Sequence, residues 1–201
     1  MKTDVITVSS KGARMEKALT EVEKVCRYKE LTARQALHLR LLTEEMMGMM
    51  RSITGETEGE FWIEDKDNVY ELHLCVETRM NSDKRDKLLA ASTSGKNESA
   101  KGLMGRLRDF FDRGADEDVA AFSTPLLMPG LYEGVSAHSM EYEWSMIDYV
   151  EAVKAGVEHE DKAAVEAWDE LEKSVVSHVA DNVKVSIKGS RAELIIVKKL
   201  A

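Results

Sequence analysis

Val183-Lys184-Val185-Ser186-Ile187-Lys188-Gly189-Ser190-Arg191-Ala192-Glu193-Leu194-Ile195-Ile196-Val197-Lys198 is the stretch whose reading decides the fold. Apolar and polar residues alternate on both sides of the Gly189-Ser190 pair, and the composition turns β-branched. The stretch therefore reads as a β-hairpin near the end of the chain. At the opposite end, Asp4-Val5-Ile6-Thr7-Val8 reads as a short strand. Strands from the two ends of one chain must then share a sheet.

Between these ends the period changes to that of helices. Met15, Ala18, Leu19, Val22, Val25 and Cys26 follow helical spacing. Thr32-Ala33-Arg34-Gln35 forms a capping box that opens a second helix, expected to run to Arg51. Its apolar set, from Ala36 and Leu37 to Met49 and Met50, is too broad for one stripe, so this helix should be covered on most sides. Phe61-Trp62-Ile63, a polar turn at Asp65-Lys66-Asp67-Asn68 and the alternating residues 69–76 make a further hairpin. Residues 82–91 read as a short helix, and Leu103, Met104, Leu107, Phe110 and Phe111 mark another. Residues 112–140 hold both prolines, Pro125 and Pro129, and read as the longest irregular stretch. Helical patterns around 142–155 and 161–180 precede the closing hairpin. This order predicts an α+β fold, a two-layer sandwich with helices on one face of a mixed or antiparallel sheet. It also predicts a single domain over 1–201, with 112–180 as a loop and helical insertion before the last hairpin.

The composition narrows the function classes. Of 201 residues, 43% are hydrophobic, enough for a sizeable core, while 28 Lys and Arg face 37 Asp and Glu for a formal net charge of -9. An acidic chain without a basic stripe repels phosphate backbones and anionic lipid, so neither nucleic acid nor membrane is expected as a partner. No apolar run is long enough for a leader or a membrane span, which predicts a cytoplasmic protein. Cys26 and Cys75 sit among apolar neighbours and read as reduced, buried thiols. His38, His73, His138, His159 and His178 are dispersed and never fall at ligand spacing, so no metal centre is expected from them.

Two places can carry chemistry. The first is the small, polar run Ser92-Thr93-Ser94-Gly95-Lys96-Asn97-Glu98-Ser99, followed by Lys101-Gly102-Leu103-Met104-Gly105. Small residues let backbone amides approach a ligand, and a helix N-terminus attracts an anion, so phosphate binding is one reading. A flexible linker, followed by a helix whose glycines permit close packing, is the other. It is not a Walker A loop, because Asn97 stands where Ser or Thr would hold magnesium. The second place is Thr43-Glu44-Glu45 inside the apolar second helix, where a carboxylate on a buried face is costly unless paired, ligating or wet. Glu44 can serve as a general base there, or both glutamates can be surface charges.

Together these pieces resemble the histidine-kinase-like ATPase superfamily, also called GHKL or the Bergerat fold, and within it the bacterial anti-sigma-factor serine kinases. In that family a long helix carries a Glu and, four residues later, a magnesium-ligating Asn. Leu41-Leu42-Thr43-Glu44-Glu45-Met46-Met47-Gly48 looks like that segment, with Glu44 at the acidic position and Gly48 where the Asn belongs. The family's Asp that reads the adenine amino group follows a strand. Here the strand ends Leu74-Cys75-Val76-Glu77, with Glu77 as its substitute and the glycines that should follow missing. The family's Gly-rich box matches best, at Ser94, Gly95, Lys96, Asn97, Lys101, Gly102 and Gly105.

The resemblance implies a bacterial signalling protein that binds ATP or ADP with magnesium, with Glu44 as the catalytic residue and the other named residues around the nucleotide. Protein kinase or ATPase activity follows from it, weakened by Gly48, which supplies no side-chain oxygen to a metal. It also implies a regulatory protein partner and is compatible with a homodimer. The alternative is a catalytically degenerate module that only binds proteins. Its contact surface would lie on the added helices and on Tyr142-Glu143-Trp144-Ser145-Met146.

Overall fold

The computed structural model describes residues 1–10, 13–54, 58–77, 142–188 and 191–200. The elements run β1 (Ile6–Ser9), α1 (Ala13–Tyr28), α2 (Ala33–Thr54), β2 (Glu58–Lys66), β3 (Val69–Glu77), β4 (Tyr142–Ser145), α3 (Met146–Glu158), α4 (Lys162–Lys173), α5 (Val175–Val179), β5 (Asn182–Lys188) and β6 (Arg191–Lys199). The strands form one six-stranded sheet in the order β1-β2-β3-β6-β5-β4. Every pairing between them is antiparallel. The fold class is thus α+β, and strands from the two ends of the chain do share a sheet.

Both expected hairpins are present. Asp67 and Asn68 take φ of 52° and 62° at the β2–β3 turn, the pair of positive values that a two-residue hairpin turn needs to match strand twist. Phe61 faces Leu74 and Ile63 faces Leu72, while on the other side Leu72 faces Ile196 and Leu74 faces Leu194. Successive residues point to opposite sheet faces. These pairs therefore build one inner face, completed by Val8, Val183 and Val185.

The helices bury their apolar stripes against that face. Ala18 and Val22 of α1, Leu39, Leu42, Met46 and Met50 of α2, Val153 of α3 and Leu171 of α4 join one continuous core. The methionines of α2 are core packing, which suits an unbranched side chain that fills irregular gaps. The capping box forms as expected: the Thr32 amide donates to Gln35 Oε1 at 2.9 Å and the Gln35 amide to Thr32 Oγ1 at 3.4 Å. Helix α2 continues three residues beyond Arg51.

Two readings are corrected. The residues around 142 do not begin a helix: Tyr142–Ser145 is edge strand β4, paired with β5 in the register Tyr142↔Ile187 and Trp144↔Val185. Helix α3 starts only at Met146, where Asn182 Oδ1 accepts from the Ile147 amide at 3.3 Å. The pattern over 161–180 splits into α4 and α5 at Ser174, whose hydroxyl accepts from the Ser177 amide. The stretches read as helices at 82–91 and around Leu103, and the irregular stretch 112–140, lie outside the described residues.

A charged clamp ties the layers together at one end of the sheet. Asp65, at the end of β2, has a side chain only 5% exposed and meets Lys29 Nζ at 2.5 Å and the Met1 ammonium at 3.1 Å. Burial alone would raise its carboxyl, but the hydrogen bonds and charges of Lys29 and Met1 outweigh burial and hold it below its ordinary value. A carboxyl depressed in the folded state adds stability above its unfolded value near pH 4 and loses it as pH falls through the folded value. Asp65→Asn is therefore expected to lower stability at pH 7 by about 2 kcal/mol and to bring the two proteins together at pH 2. Urea unfolding at both pH values checks this, and an equal deficit at both would contradict it.

Candidate functional site

Of the residues named from the sequence, Glu44, Gly48 and Glu77 are described; Ser94, Gly95, Lys96, Asn97, Lys101, Gly102 and Gly105 lie outside the described residues. Helix α2 is buried along Leu39, Leu42, Thr43, Met46, Met47, Met49 and Met50. It opens on the strip that carries Glu44 and Gly48, four residues apart and so on one face. The neighbouring Thr43 is fully buried and donates to Leu39 O at 2.8 Å, which settles the cost of a hydroxyl in the core. A Cβ added at Gly48 would meet nothing within 4 Å, so the position has room for a side chain.

Glu44 is half-exposed rather than buried. Arg40 Nε donates to Glu44 Oε1 at 3.2 Å, and Arg40 also donates to Glu23 Oε1 of α1 at 2.8 Å. One carboxylate oxygen is thereby oriented along the helix surface. Glu77 is exposed at the end of β3, opposite Arg191 in the β6 register. Arg191 itself donates to Cys75 Sγ and reaches Glu60 at 3.5 Å. Glu44 and Glu77 thus occupy different layers, on a helix and a strand that pack against each other.

Two side chains of the aromatic stretch expected as a partner surface turn towards the core. Trp144 is half-buried and packs against the core, with its ring 5.9 Å from that of Tyr149, and Met146 is buried. Strand alternation explains this, since Trp144 pairs with the inward-facing Val185.

Both cysteines are free and buried, as expected. Burial pushes both thiols up, more strongly than a backbone hydrogen bond lowers Cys26 or Arg191 lowers Cys75. A thiol held protonated is a poor nucleophile.

Sequence reading missed a cluster on the sheet face opposite the helices. His73 stacks on Trp62 with ring centroids 4.8 Å apart and planes 10° from parallel. Its Nδ1 lies 3.0 Å from Glu193 Oε1, and its Nε2 lies 3.6 Å from Glu71 Oε2. Lys2 sits over the Trp62 ring at 5.2 Å and pairs with Glu64 at 2.8 Å. The hydrogen bond from Lys2, and then that from Trp62, hold the Glu64 carboxyl below its ordinary value. The signal was there in part: Glu71 and His73 are two apart in a strand and so share a face. Glu193, 120 residues away, enters only through the β3–β6 register.

No protein-family model, curated protein or solved structure matches this chain.

Proposed function

We infer that the chain is a nucleotide-binding signalling protein on a histidine-kinase-like scaffold of the Bergerat type. The observation that carries this reading is helix α2, buried on most sides but open along Glu44 and Gly48, following a strand and a helix and preceding a hairpin that ends at Glu77. The Gly-rich sequence at 94–105 supplies small residues and two lysines suited to phosphates. In this reading ATP or ADP sits with its phosphates at Ser94, Gly95, Lys96, Asn97, Lys101, Gly102 and Gly105 and its base near Glu77. Glu44 faces the metal or the attacking group. The protein acts in the bacterial cytoplasm on a regulatory protein partner, as a serine kinase or ATPase of the anti-sigma-factor kind.

Gly48 favours a second reading of the same scaffold, a catalytically degenerate module that regulates by binding protein. Without a side-chain oxygen four residues after Glu44, magnesium loses a ligand and phosphoryl transfer loses its charge neutralisation.

Nucleotide binding is expected to raise the melting temperature. A ligand at a hundred times its Kd adds about 2.7 kcal/mol to folding stability, several degrees for a domain of this size. A thermal melt with millimolar ADP, ATP and, as control, inorganic phosphate tests this. An unchanged midpoint with both nucleotides would remove the nucleotide and leave the protein-binding reading.

A further inference from the structure

We propose that edge strand β1 and the flank of α1 beside it form a dimer interface, on which a second copy of this chain adds its own β1, antiparallel, across a twofold axis. β1 ends the six-stranded sheet, and among the described strands only β2 pairs with it. An edge strand turns the N–H and C=O groups of every second residue away from its neighbour, and such a row templates a further strand. Edges that stay single commonly carry Lys or Pro, whereas β1 reads Ile-Thr-Val-Ser and holds neither. Val5, just before it, is an apolar side chain 51% exposed.

Beside this edge a cavity of about 300 Å³ opens between β1 and α1, lined by Ile6, Glu16, Lys17, Thr20, Glu21 and Lys24. Ile6 gives it an apolar floor, partly buried against the core. The five α1 residues form its polar wall, since positions three and four apart share a helix side. Two glutamates and two lysines on that wall favour neither an acidic nor a basic peptide. A mixed wall is matched by a surface that carries the same mixture in reverse order, which is what a twofold-related copy presents.

The charges select the register. An axis through Ile6 and Thr20, perpendicular to the sheet, sets Val5 opposite Thr7 of the second copy and keeps both α1 helices on one face. Residues equally far before and after Thr20 then meet: Glu16 faces Lys24 of the second copy, Lys17 faces its Glu23, and each pair occurs twice. An axis between Thr20 and Glu21 would instead oppose Lys17 to Lys24, so like charges reject the neighbouring register. Lys24 pairs with Glu21 of its own chain at 2.9 Å, and its ammonium has further hydrogens for Glu16 of the second copy. Glu23 holds Arg40 through Oε1 alone, which leaves Oε2 for Lys17. Strand hydrogen bonds and the covering of Val5 and Ile6 supply affinity, while exposed ion pairs supply orientation. The interface uses none of Glu44, Glu77 or residues 94–105 and is independent of the nucleotide reading.

Sedimentation equilibrium of the nucleotide-free protein tests the proposal. The expected result is a reversible monomer–dimer equilibrium in the micromolar range. Glu16→Lys and Lys24→Glu, both at exposed positions, should each weaken it by about tenfold or more, because two attractive pairs per dimer become repulsive. The chain carrying both substitutions regains those pairs with their signs exchanged and should dimerise as the wild type does. An equimolar mixture of the two single variants should form the heterodimer, in which Lys and Glu again face each other. Amide hydrogen exchange in β1 should slow as protein concentration rises, while that in α4 stays the same. A wild type that remains monomeric at millimolar concentration would overturn the proposal and leave the groove to an extended peptide of another protein. A dimer that tolerates both single charge reversals, or whose β1 amides exchange at one rate at every concentration, would overturn it too.

Discussion

Phe61→Ala is expected to lower the unfolding free energy by about 3–5 kcal/mol, the cost of a large aromatic removed from a packed interior. Phe61 is fully buried on the inner face of the sheet, with Ile6 of the edge strand on one side and Leu74 on the other. Truncation forfeits the transfer of the ring out of water and leaves a cavity that two hydrogen-bonded neighbouring strands cannot collapse into. Edge strand β1, only four residues long, then loses a main apolar support. Urea unfolding followed by circular dichroism reads the difference. Leu37→Ala, at a position 52% exposed on α2, is the control and should change stability by less than about 0.5 kcal/mol. Similar losses from both substitutions would contradict the placement of the inner face.

The second large effect concerns the phosphates. Lys96 and Lys101 are the two cationic residues within 92–105, and the double substitution to alanine should weaken ATP affinity by about a hundredfold. Each hydrogen bond to a charged group is worth about 1.5–3 kcal/mol, and 1.4 kcal/mol is tenfold in affinity. Glycine and serine amides would retain part of the phosphate binding, so residual affinity is expected rather than none. The two substitutions remove only long cationic side chains, and the melting temperature without nucleotide should hold. Unchanged affinity in a binding protein would exclude this stretch from the site.

Much of the fold was legible because its elements carry local signals. The β2–β3 turn announces itself in Asp67-Asn68, residues that tolerate positive φ, and α2 in the reciprocal Thr32–Gln35 cap. Strand β4 was not legible. Tyr142 and Trp144 alternate over only four residues, too few for a period of two to stand out from the helical pattern that starts at Met146. The break at Ser174 carries no glycine or proline, only a serine whose capping role depends on the local turn.

The candidate site was legible in proportion to how local its residues are. Glu44 and Gly48 lie four apart on one helix, and their shared open strip could be read from helical spacing. The Glu71–His73–Glu193 cluster depends on which strand lies beside β3. That strand is β6, more than a hundred residues later, and no local pattern encodes the pairing.

The central claim is nucleotide binding by the α2 scaffold, and calorimetric titration of the wild-type protein with ATP and ADP, with and without magnesium, tests it most directly. Gly48→Asn, for which the open space at Gly48 leaves room, is titrated alongside. The predicted result is saturable nucleotide binding by the wild type, at least tenfold tighter for Gly48→Asn when magnesium is present and equal for the two proteins in its absence. No heat of binding from either protein up to millimolar nucleotide would contradict the claim.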